Sequence, residues 1–180
     1  MDGEKPAAPA QFTPHAIHLV RTATQVNLSL SQMADQKASI LMGATFVVFT
    51  ISVGQAGRGH FPIALMVLAI SAFLSAMFAV AAILPSIRPP KADEGMENLL
   101  FFGAFTQFSE KEFANRVLGQ LGSDEQVFRT MLRDIYQNGQ VLQRKKYRYL
   151  GLAYRIFLAG LTVTLITFLI ESRGTLFGVA

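Results

Sequence analysis

Three apolar stretches, at about 38–54, 61–87 and 149–170, constrain this chain more than any other feature. A hydrocarbon core about 30 Å thick is crossed by roughly 20 helical residues rising about 1.5 Å each. The second and third stretches meet that length, and the first falls slightly short. A mean hydropathy of +0.36 over 180 residues is high for a soluble domain. The expectation is an all-α integral membrane protein, one compact unit, with three transmembrane helices.

Composition narrows the chemistry. The chain has no cysteine, which excludes disulfide staples, thiolate catalysis and zinc sites built on Cys. Residues 1–14 are polar and contain proline, and the first apolar run starts too far in for a cleavable signal peptide. The formal net charge is +4 and the pI about 9.6, but the basic residues stand beside the spans. Membrane orientation explains them better than nucleic-acid binding does.

Lys and Arg are retained on the cytoplasmic side of a membrane. Arg58 alone falls between the first two spans. Arg88, Lys91, Lys111, Arg116, Arg129, Arg133, Arg144, Lys145, Lys146 and Arg148 all fall between the second and third. This predicts a cytoplasmic N-terminus, an external hairpin at 55–60, a cytoplasmic region over 88–148 and an extracytoplasmic tail over 171–180. Arg155, two turns into the third span, can carry its guanidinium back to the headgroups on a long stem.

After a disordered tail over 1–12, residues 13–37 form an amphipathic arm. Leu19, Ala23, Val26, Leu30 and Met33 recur every three or four residues, with His18, Arg21, Gln25, Gln32 and Gln36 on another face. No Pro or Gly separates the arm from the first span, so one helix is predicted over about 15–53, and its apolar stripe needs a partner. Pro85, Pro89 and Pro90 end the second span and open a linker. The phenylalanine-rich stretch 97–108 is predicted to be helix or loop packed against the arm. Ser109 with Glu112, and Ser123 with Gln126, have capping-box spacing, with Gly122 between them as a stop. One further helix is predicted over about 124–170. The first and third spans thus extend into a cytoplasmic helical bundle.

Catalytic constellations are missing from this pattern. No nucleophile elbow, glycine-rich phosphate loop or His-Glu-x-x-His occurs, so the expectation is a protein that is not an enzyme and uses no metal or cofactor. His15 and His18 share a helical face but lack a third ligand. Ser71, Ser75 and Ala79, with Gly160 and Thr164, are small residues suited to close helix contact in a membrane. No ionisable residue falls near a bilayer centre, which argues against a proton relay or charged-solute pathway.

The most notable short motif is 34–38, where Asp35 and Lys37 stand at the threshold of an uncharged span. One reading is interfacial, with Lys37 snorkelling and Asp35 solvated. The other is that Asp35 pairs with a base on a neighbouring helix, for example Lys146, and so couples helices at the membrane interface.

Ala34-Asp35-x-Lys37-Ala38, Asn98-Leu99-Leu100-Phe101-Phe102-Gly103 and Asn138-Gly139-x-Val141-Leu142-x-x-Lys145-Lys146-Tyr147 together resemble the transmembrane effectors of Pycsar, the pyrimidine-cyclase system of antiphage defence. The resemblance spans about residues 18–170. It implies a bacterial inner-membrane effector that answers cyclic CMP or cyclic UMP from a companion cyclase, assembles as a homo-oligomer and impairs the membrane. No cyclic-nucleotide-binding β-barrel is recognisable. If the nucleotide binds directly, Lys37, Arg144, Lys145 and Arg148 are the natural phosphate contacts, and Phe101, Phe102 or Tyr147 could stack on the base. Positive-inside anchoring explains the same basic cluster. The rival functional reading is a membrane scaffold that recruits a cytoplasmic partner through its helical bundle.

Overall fold

The computed structural model describes residues 11–56, 62–85 and 97–176. The hairpin carrying Arg58 and His60, the linker carrying Arg88, Pro89, Pro90 and Lys91, and most of the predicted tails lie outside the described residues. Among those described, the secondary structure is entirely helical: α1 (Ala16–Ala56), α2 (Ile63–Ile83), α3 (Phe102–Phe105), α4 (Glu110–Gln120), α5 (Asp124–Val141), a π-helical segment (Leu142–Tyr147) and α6 (Arg148–Leu176). Three stretches are long and apolar enough to cross a membrane, within α1, α2 and the run that ends in α6. The helix α1 has 41 residues, about 60 Å at the helical rise.

The chain divides into two compact units rather than one: Met1–Ser29 with Ser86–Gly139, and Leu30–Pro85 with Gln140–Ala180. The second unit is built as membrane proteins are, with its small residues inside. Every buried residue of α2 is Ala or Ser: Ala64, Ala69, Ser71, Ala72, Ser75, Ala79 and Ala82. Its large side chains, among them Ile70, Phe73, Met77 and Val80, are exposed. Lipid tails are as apolar as leucine, so helices gain little by hiding large side chains and gain more by close packing. The Ser75 hydroxyl donates to the Ala153 carbonyl of α6 at 2.8 Å. Gly160 of α6 lies so close to Ser71 that a Cβ placed there would overlap both Ser71 Oγ and Cβ.

Several hydroxyls within the apolar stretches bond back to carbonyls of their own helix. Thr45 donates to Leu41 at 2.9 Å, Ser52 to Val48 at 2.8 Å and Thr167 to Val163 at 2.9 Å. With no water in a hydrocarbon core, such back-bonding satisfies groups that would otherwise be costly there. The start of α2 is served from elsewhere, because the Ile63 amide donates to Glu171 Oε1 at 3.0 Å. A carboxylate at a helix N-terminus is favoured by the helix dipole.

In the first unit α4 and α5 form a helical hairpin. Ser109 Oγ accepts from the Glu112 amide and Ser123 Oγ from the Gln126 amide, each at 3.3 Å. Only half of the first capping box forms, because the Glu112 carboxylate binds Arg116 Nη2 at 2.9 Å instead of reaching back. The 97–108 stretch is a turn followed by α3, and its polar contacts go to α4 and α5. Buried Asn98 donates to Asp134 at 3.0 Å and Glu97 meets Arg116 at 3.2 Å. The tail predicted as disordered through residue 12 is already packed by Phe12, whose ring centroid lies 4.8 Å from that of Phe128.

Two further expectations are corrected. The arm's large apolar stripe is not its buried face: Leu19, Val26, Leu30 and Met33 are exposed, whereas Val20 in the first unit and Ala34 in the second are buried. Periodicity locates an apolar face but cannot rank it against a face of small residues that allows closer approach. The helix predicted over about 124–170 is continuous but changes to π geometry over Leu142–Tyr147 and runs on to Leu176.

The α2–α6 contact gives a direct test. Gly160→Ala should lower stability by about 1–3 kcal/mol through overpacking, and Ser71→Gly in the same chain should recover most of the loss. Denaturant titration in detergent micelles, followed by helical circular dichroism, measures both. An unchanged midpoint for Gly160→Ala would contradict the packing.

Candidate functional site

Asp35 is the only carboxylate between Glu4 and Asp93. It follows Ser31 by one helical turn, so both side chains leave α1 on the same face. Lys146, in the π segment, reaches both. Its Nζ lies 2.7 Å from Asp35 Oδ2 and donates to Ser31 Oγ at 2.8 Å. The surroundings are apolar: Ala34, Ala38, Ala82, Leu142 and Leu150 are buried in one cluster, with Tyr154 and Ile83 against it. Leu142 and Leu150 stand four residues before and after Lys146, so the lysine projects from a buried face between two leucines. Ala34 and Ala38 are the small residues that let the π segment come close enough for the contact.

Electrostatically this is a half-buried ion pair, with 19% of the Lys146 side chain and 39% of the Asp35 side chain accessible. Asp35 Oδ1 is buried and has no hydrogen-bond partner among the described residues. A carboxylate using one oxygen of two retains acceptor capacity. The π geometry is the second unusual feature, because segments of this kind occur mostly as single-turn interruptions at functional positions.

Beside the pair lies a shallow cleft of about 400 Å³ lined by Lys37, Tyr147, Leu150, Gly151 and Tyr154. The Tyr154 hydroxyl donates to the Lys37 carbonyl at a long 3.4 Å. Arg144 and Arg148 are exposed on the π segment and at the start of α6, while Lys145 is half-buried. Of the residues singled out in the sequence, the structure therefore brings Lys37 and Tyr147 to one cleft, and Asp35 and Lys146 to one ion pair next to it. Phe101 and Phe102 belong to the other unit. There Phe101 is buried and Phe102 half-exposed, with ring centroids 5.5 Å apart. Among the described residues no three His, Cys, Asp or Glu side chains gather as a metal site.

Sequence reasoning overlooked Ser31, Tyr154 and Glu171. Glu171 carried a usable signal, being the only carboxylate after Asp134 and standing at the end of an apolar run. Lys146 and Glu171 bracket α6 about 38 Å apart along the helix, slightly more than a hydrocarbon core is thick. The unit is thus tied by a carboxylate at each end of its apolar stretch.

Replacing Lys146 by Met should cost about 1–2 kcal/mol in micelles, the partial exposure of the pair keeping it below a fully buried one. In a double-mutant cycle with Asp35→Asn, a coupling of about 1 kcal/mol is expected. Additivity of the two substitutions would show that the contact contributes nothing.

Compared with known protein families, residues 18–171 match PycTM, the Pycsar effector protein domain. No curated protein and no solved structure matches the chain.

Proposed function

We propose, from the premise that this chain belongs to the Pycsar effector family, that it is a non-enzymatic membrane effector switched on by a cyclic pyrimidine nucleotide. Family membership and three membrane-length apolar helices make it a membrane effector of antiphage defence. The finer reading is that cyclic CMP or cyclic UMP, made by a companion cyclase, shifts the chain from a resting to an active assembly. A ligand moves such an equilibrium only by binding the two states differently. The active assembly is a homo-oligomer that impairs the integrity of a bacterial inner membrane, with the N-terminus and residues 88–148 in the cytoplasm.

The observation that carries this reading is the family match across 18–171, which takes in all three apolar helices and the polar region between the last two. The exposed Leu19, Val26, Leu30 and Met33 on α1 support self-assembly, since apolar side chains outside a membrane favour a protein neighbour. Concentration of Lys and Arg between the second and third spans supports the cytoplasmic assignment.

Calorimetric titration of the detergent-purified chain with cyclic UMP and cyclic CMP, paired with dye release from liposomes, tests the proposal. Saturable binding of at least one nucleotide, and leakage that depends on it, is the expected result. Absence of both binding and leakage would sink it. A single stable protein partner in a pull-down, together with normal growth on overexpression, would favour the scaffold reading instead.

A further inference from the structure

The geometry points to a small-anion pocket in the first unit, between α4 and α5, that receives the phosphate of a mononucleotide on Arg133. The pocket follows from the hairpin. On α4, Arg116 and Gln120 are four residues apart, and on α5, Thr130 and Arg133 are three apart, so each pair shares one face of its helix. The tight turn around Gly122 folds the helices back so that the two faces meet. Thr130 Oγ1 lies 3.3 Å from Gln120 Oε1. Glu97 and Leu99 close the space, leaving a cavity of about 200 Å³ lined by these six residues.

Its charges are unequally matched. Arg116 is held by Glu97 at 3.2 Å and Glu112 at 2.9 Å, with its guanidinium carbon 4.2 Å from the centre of the Phe108 ring. Glu112 approaches from a neighbouring surface cleft that also holds Lys111. Arg133 is half-buried and has no carboxylate partner among the described residues. A half-buried guanidinium with no carboxylate partner among the described residues is a natural receptor for phosphate, which it can engage through two parallel bonds.

The other lining groups suit what is attached to such a phosphate. Gln120 offers both a donor and an acceptor to a base edge, Glu97 accepts from a base N–H or a ribose hydroxyl, and Thr130, whose proton goes to the Gln126 carbonyl at 2.9 Å, accepts. The volume is below the roughly 300–1,000 Å³ of pockets that enclose drug-sized ligands. It therefore takes the phosphate and part of a single nucleotide. Asn98, buried and bonded to Asp134, holds the 97–100 turn that forms one wall. Resting on the nucleotide-gated reading above, the ligand is a cyclic pyrimidine mononucleotide, and this pocket replaces Arg144, Lys145 and Arg148 as its phosphate site.

Calorimetry on the full chain in detergent, with cyclic UMP, cyclic CMP, cyclic AMP and inorganic phosphate as probes, tests the assignment. Arg133→Gln should weaken binding of the preferred pyrimidine nucleotide at least about tenfold, as loss of a charge-assisted bond implies. Arg133→Lys should fall between it and the wild type. Arg129→Gln, which removes an exposed arginine paired with Glu125 one turn away, should bind as the wild type does. Melting temperatures of the free proteins report folding, and Gln120→Ala replaces Arg133→Gln should the latter not fold. Wild-type affinity in Arg133→Gln and Gln120→Ala, or equal affinity for inorganic phosphate, overturns the pocket while nucleotide gating stands. No binding of either pyrimidine nucleotide by the wild type overturns both.

Discussion

The contact on which the membrane-bearing unit depends is that between Lys146 and Asp35, an ion pair set in an apolar frame. Placing a lysine between Leu142 and Leu150 on a buried face is tolerable only if a carboxylate meets it, because an isolated charge there is strongly disfavoured. The pair thereby specifies which turn of α1 lies against which turn of the π segment. The π geometry serves the same end. One extra residue in a turn rotates the following helix face by about 100° relative to an uninterrupted α-helix. After it, α6 presents Ala153 and Gly160 to the small-residue face of α2.

That close packing has consequences for the rest of the unit. With Ala and Ser inside and Ile, Phe, Met and Val outside, the spans hold together by backbone proximity and a few polar bonds rather than by a thick apolar core. Glu171 at the start of α2 and Asp35 at the other end of α6 supply the strongest of these bonds, and both occur where an apolar stretch meets a polar boundary.

Much of this architecture was legible in the residues. Apolar stretches of the right length locate spanning helices because bilayer thickness sets a length and composition alone reveals it. The Ser109 and Ser123 caps were equally legible, since capping depends only on neighbours in sequence. Contacts decided by register between distant segments were legible only in part. The pairing of Asp35 with Lys146 was one of two readings of the 34–38 motif, and the structure forms it; the π segment that carries Lys146 is announced by no local pattern. The arm's buried face was misjudged because Leu19, Val26 and Met33 outweigh Val20 and Ala34 in hydrophobicity, while packing favoured the smaller residues. Arg133 looked like one base among many until the α4–α5 hairpin placed it in a pocket with no carboxylate partner among the described residues.

The first unit carries the pocket lined by Arg133, and the second carries α2 and α6. The central claim is that a nucleotide signal ends in damage to the membrane that holds the protein. Its most direct test is the membrane potential of bacterial cells expressing the chain, followed with a voltage-sensitive dye as membrane-permeant esters of cyclic UMP and cyclic CMP are added. The account predicts depolarisation within minutes for at least one nucleotide, and none in cells lacking the chain. A steady potential in cells that demonstrably contain the folded protein would contradict it.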